Sequence, residues 1–249
     1  MYHDQSEDTH WGQYVKVAFD YVNRKYPQPW SQEAERLGHF TFTFCILSFI
    51  ITFAVAFLFG IIAHQVSDIS WHGLEGLDDG YLRVLGKLAF HGSFGDAHSY
   101  GDVADDMIGV FEWNVTSYAY EWFVPVDDLV EIYQEYYGAQ NQLSPEVVNV
   151  CSGMLLIGRL AEQVAGRNLY YYYTKHTPVM LDMFRDYFLG GLDDMSTWTS
   201  IVWRQAARAL LNGTENCDIP HNTLGLSCST DNQHNMDSVV EMMSEASKE

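Results

Sequence analysis

The chain has 249 residues, enough for one large domain or two small ones. With 47% hydrophobic, 15% aromatic and only 18% charged residues it can fill a packed core, which excludes an extended disordered chain. The 13 Lys and Arg against 33 Asp and Glu leave a net charge of −20, which excludes nucleic-acid binding through a basic face but not a phosphate substrate held through metal ions.

The first residues, MYHDQSEDTHWGQ, are polar and acidic. They have neither the basic start nor the apolar run of a signal peptide. YVKVAFDYVNRKY, residues 14–26, carries apolar residues at helical spacing and ends before PQPW. Phe40 to Ala63 is a 24-residue run without a charge, long enough to span a bilayer. Further on, VDDLVEIYQEYYG reads as a helix with a glycine stop. SPEVVNVCSGMLLIGRLAEQVAG starts with Ser144 as N-cap and Pro145 at the first helical position, and is expected to stop at Gly166. TWTSIVWRQAARALLNG is another helix with a glycine stop. No alternating run is long enough for a strand, and there is no repeat. The fold class is all-α, a single domain over residues 1–228 with a polar tail over 229–249.

Four cysteines are too few for a disulfide scaffold, but Cys217 and Cys228 flank a short polar loop that a disulfide could close. Asn114 in NVT and Asn212 in NGT are glycosylation acceptor patterns. Together these features lean toward a secreted protein. The tyrosines of YYYY, Tyr170 to Tyr173, with Trp11 and Trp71, read as core and rim packing. Asp78, Asp79, Asp193 and Asp194 read as solvated turns or helix caps.

The chemistry concentrates in two short stretches. HQVSDISWH places His64, Asp68 and His72 at four-residue steps, and AHSYGD places His98 and Asp102 four apart. Residues four apart share one face of a helix. Imidazole nitrogen and carboxylate oxygen are the ligands of catalytic zinc. A single histidine on an apolar face is more often a hydrogen-bonded core residue, but two such pairs together point to metal binding.

With HDQSEDTHW, AFLFGIIAHQVSDISWHGL, FHGSFGDAHSYGD, WFVPVDDLVEIYQEYYG and YFLGGLDDMSTWTS in this order, the chain resembles the catalytic domain of the glycosylphosphatidylinositol-specific phospholipase D family. That domain is similar to the zinc-dependent phospholipase C helical bundle. The resemblance implies that His10, His64 and Asp68 hold one zinc and His72, His98 and Asp102 another, with catalysis at His64, Asp68, His72 and His98. It implies that Asp68 can bridge to a further zinc. His3 and His91 stay as supporting or structural candidates. The implied reaction is hydrolysis of the inositol–phosphate bond of a GPI anchor, which releases the anchored protein and leaves phosphatidic acid. The implied partners are GPI-anchored proteins and membrane phospholipid as substrate, with no nucleic acid and no obligate protein partner. Spacing alone supports only a zinc-dependent phosphoester hydrolase.

Three departures from the family pattern bear on activity. Its first segment, with a histidine and an aspartate ligand, has no counterpart here. Nor does its C-terminal β-propeller. Residues 39–55 look inserted, and three readings stand: a transmembrane helix that would make the protein membrane-associated through residues 40–63, an apolar extension of a core helix, or a translated intron. Alternative functions are therefore a catalytically impaired fragment or isoform, or a general zinc phospholipase C.

Overall fold

The computed structural model describes residues 7–26, 45–74, 76–112, 122–140 and 143–229. Eight α-helices form among them: α1 Gly12–Lys25, α2 Cys45–His72, α3 Tyr81–Ala89, α4 Phe94–Glu112, α5 Val126–Tyr137, α6 Pro145–His176, α7 Pro178–Asp186 and α8 Leu192–Asn212. The only strands among the described residues are β1 Cys217–Asp218 and β2 Ser227–Cys228, an antiparallel pair. The fold is all-α, as composition and periodicity predict.

The helices gather into two apolar clusters. The first joins Tyr14, Phe19 and Val22 of α1, Leu58, Ile62 and Val66 of α2, α5, and Ala206 and Leu210 of α8. The second joins Trp71 of α2, Tyr81 and Leu85 of α3, Ala104 and Ile108 of α4, and Met180 and Phe184 of α7. Each fully buried aromatic or aliphatic side chain contributes about 2 kcal/mol. α2 contributes buried residues to both, because Ile62 and Val66 face one cluster and Trp71 faces the other, and α6 and α8 also touch both. The stripe of α2 turned away from these residues is left for polar side chains.

The helix ends follow local chemistry. The Ser144 side chain accepts from the Val147 amide, and Pro145 occupies the first turn of α6. α5 closes at Gly138 (φ 58°) and α8 at Gly213 (φ 84°), both left-handed as the glycine stops predict. The expected stop of α6 at Gly166 is wrong. The helix runs on to His176, taking in Tyr170 to Tyr173. Gly166 is there for packing: a Cβ on it would meet Phe111 Cε2 at 2.6 Å.

α2 is continuous from Cys45 through the ligand stripe. Residues 39–44 lie outside the described residues, but Ala54 is 5% exposed and Val55 packs on the first cluster. The end of the 39–55 span therefore belongs to the core. Two helical stretches, Ala54–His72 and Pro145–His176, are long and apolar enough to cross a membrane by length and composition. The first is 44% buried inside the fold, the second 6%.

Trp71 is core, stacked on Tyr81 with ring centroids 4.2 Å apart. Trp11 instead stacks on His221 at 4.0 Å. Asp194, in the first turn of α8, accepts from the Gly190 amide of the preceding turn at 2.8 Å, and Asp79 accepts from Lys87 in a solvated turn. A disulfide joins Cys217 to Cys228. Asn212 is exposed at the last residue of α8, while Asn114, His3 and the 230–249 tail lie outside the described residues.

Candidate metal centre

α2 and α4 bring their four-residue pairs together as the helical pitch dictates. His64, Asp68 and His72 line one stripe of α2, and His98 with Asp102 lines one stripe of α4. His10 arrives from a different direction, two residues before α1. Three contacts fix it. The Gln65 side chain donates to the Thr9 carbonyl. Trp11 stacks on His221, and the Gly12 amide donates to the His221 carbonyl at 2.9 Å. Gly12 is required there, because a Cβ would fall 1.8 Å from the Pro220 carbonyl oxygen. The loop closed by the disulfide thus holds the histidine segment against α2.

Two groups of donors result. In the first, His10 Nε2 lies 2.9 Å from His64 Nε2 and 3.2 Å from Asp68 Oδ2, and His64 Nε2 lies 3.4 Å from the same oxygen. In the second, His98 Nδ1 lies 3.2 Å from Asp102 Oδ2, and the His72 and His98 rings stack with centroids 4.6 Å apart. Within each group the ligand atoms all lie within 4.8 Å of one another. Asp68 links the groups: its other oxygen, Oδ1, lies 3.7 Å from His72 Nε2.

These distances test whether a metal ion fits. A tetrahedral zinc with bonds of about 2.0–2.1 Å sets its ligand atoms about 3.3 Å apart. The three separations in the first group scatter around that edge length. A proton can be shared by two of these atoms but not three, whereas one cation satisfies all of them. In the second group, the His72 Nδ1 atom is buried and has no hydrogen-bond partner among the described residues. The donor set of imidazoles and carboxylates suits zinc.

The electrostatics fit as well. The hydrogen bond to Asp68 holds the His10 imidazole above its usual pKa, against the opposing effect of burial. Burial pushes the Asp68 carboxyl up, but the His10 hydrogen bond and the charges of His64, His72 and His10 outweigh it, so the group ionises more readily than usual. Burial is also the main reason that His72 sits below the usual histidine value, which favours the neutral ring with one nitrogen free to act as a ligand.

The structure therefore brings His10, His64 and Asp68 into one group and His72, His98 and Asp102 into the other, joined at Asp68. His91 belongs to neither. It adopts φ 52° in the turn before α4 and lines a groove with Phe90, Tyr100 and Tyr173. Sequence reasoning passed over Asp105, which shares the His98 and Asp102 face of α4 and keeps both carboxylate oxygens out of solvent. Its seven-residue spacing from His98 was the available signal.

Over 240 residues, 96% of its length, the chain is 37% identical to phosphatidylinositol-glycan-specific phospholipase D of Homo sapiens. The chain matches one segment of that enzyme. It is 35% identical over 237 residues to the enzyme of the same name in Rattus norvegicus and 30% identical over 200 residues to that of Dictyostelium discoideum. The chain spans about a quarter of the length of the mammalian relatives, 26% in both, and 19% of the Dictyostelium protein. No family model matches the chain, and neither does any solved structure.

Proposed function

We propose that the chain is a zinc-dependent phosphodiester hydrolase that acts on GPI anchors, cleaving between inositol and phosphate. The observation that carries the reading is the pair of donor groups linked by Asp68, with the ligand atoms of the first spaced at the edge length of a zinc tetrahedron and those of the second within 4.8 Å of one another. The substrate class is taken from the name that these relatives share. His10, His64 and Asp68 would hold one ion and His72, His98 and Asp102 the other. Zinc in such a site makes water acidic enough to attack near neutral pH and offsets charge on a phosphodiester. Asp68, ionised and turned to both groups, fixes their separation. The stacked rings of His72 and His98 orient each other, with Phe94 edge-on to His98 at 5.7 Å. The disulfide and the exposed Asn212 support a secreted, glycosylated protein.

The test compares the chain with Asp68→Asn. Bound zinc is measured by elemental analysis, and release of a GPI-anchored reporter from detergent micelles is followed. The chain should hold two ions and Asp68→Asn at most one, with reporter release reduced at least about 100-fold. Two ions in the variant would overturn the shared-ligand reading. Zinc binding without release by the chain would overturn the hydrolase reading in favour of a catalytically impaired fragment.

A further inference from the structure

Among the described residues, α6 packs on the fold by one side, against α4, α5 and α7. Its inward side is fixed by Ser152, which accepts from Trp122 Nε1 at 3.0 Å, and by Gly166 against Phe111. On the opposite side Val150, Met154, Ile157, Ala161 and Val164 recur at steps of four and three, a stripe about 21 Å long. Val150, Met154, Ile157 and Val164 are 61%, 68%, 68% and 89% exposed. Uncompensated apolar exposure on this scale marks an interaction surface.

Charge says what covers it. The chain carries 33 acidic residues, yet residues 147–161 contain none. Their one charged side chain, Arg159, turns away from the stripe and pairs with Glu162 at 2.7 Å. A second copy of the chain would bring another net charge of −20 to the same contact. An anionic lipid surface would repel the protein as well. A zwitterionic lipid surface carries no net charge and accepts an uncharged apolar stripe. We propose that the outward stripe of α6 docks the protein on the surface of a phosphatidylcholine-type bilayer. This goes beyond the hydrolase reading and does not depend on zinc.

Cys151 is exposed on the flank of the stripe and offers a labelling position. In a Cys45→Ser background it is labelled with an environment-sensitive fluorophore and mixed with phosphatidylcholine vesicles, without substrate. Blue-shifted emission is expected, with weaker binding when phosphatidylserine is added. Met154→Glu with Ile157→Glu should lower vesicle partitioning about tenfold or more at unchanged circular dichroism. Should that pair disturb folding, Val164→Glu at the most exposed position gives the same readout. No shift with vesicles, or equal binding by the variants, overturns the proposal. So does a probe already blue-shifted in buffer, because the chain itself or a second copy then covers the stripe. Failure here leaves zinc content and reporter release untouched.

Discussion

Gly12→Ala is the most direct probe of how His10 is held. The added Cβ would fall 1.8 Å from the Pro220 carbonyl oxygen and 3.0 Å from its carbon, both backbone atoms. Ordinary contact begins near 3.4 Å, so helix α1 and the disulfide loop must part by about 1.6 Å. That motion lengthens the Gly12–His221 backbone hydrogen bond, worth about 1 kcal/mol, and adds an overpacking cost of about 1–3 kcal/mol. The melting temperature should fall by roughly 4–16 °C for a chain of this size. His10 lies two residues away, and a zinc–nitrogen bond of about 2 Å does not tolerate a displacement of that order. The variant should therefore lose the ion of the first group while His72, His98 and Asp102 keep theirs. Calorimetry gives the stability change, and elemental analysis gives the zinc content. If Gly12→Ala melts like the parent and holds two ions, the loop does not position His10 and the reasoning fails.

Two further outcomes follow from buried charge. His10 is raised by its Asp68 hydrogen bond, so its contribution is complete below the unfolded value of 6.5 and is lost as pH rises through the folded value. As pH rises above 6.5 the metal-free chain should lose about 1 kcal/mol, roughly 2–4 °C, and Asp68→Asn should remove that slope in calorimetric melts. Asp128 is buried and accepts from Tyr21 Oη and Tyr26 Oη at 2.8 Å each, with Lys25 Nζ at 3.0 Å. Asp128→Ala should cost about 3 kcal/mol in denaturant melts, and a change below about 1 kcal/mol would mean that water replaces the carboxylate.

The site was legible in the sequence where it is helical. Four-residue spacing alone sets His64, Asp68 and His72 on one face, and likewise His98 and Asp102, because helix geometry is local. His10 has no such signal. Its place depends on Gly12 meeting Pro220 across more than two hundred residues, which periodicity does not encode, and it came from family resemblance. The meeting of the two groups through Asp68 is likewise a matter of how α2 and α4 pack. For the fold, apolar periods and glycine stops matched α1, α5 and the end of α8 closely, while α8 starts at Leu192, five residues before the expected Thr197. Gly166 misled because a glycine admitting Phe111 into a groove reads the same as one that ends a helix. The β1–β2 pair is only two residues per strand and follows from the disulfide rather than from any alternation.

α2 runs unbroken past both apolar clusters and carries half of the candidate ligands. It therefore works as a ruler and as a strain gauge. His64 and His72 are eight residues apart, about 12 Å along a rigid rod, so loop changes cannot alter their spacing. Only a bend of the rod or a tilt of one cluster against the other can do so. Such a tilt would be felt first at Asp68, where the two groups meet, before any helix unwinds. A spectroscopically active ion substituted at that point would register strain anywhere along the seam, and would make this one carboxylate a sensor of the mechanical state of the whole bundle.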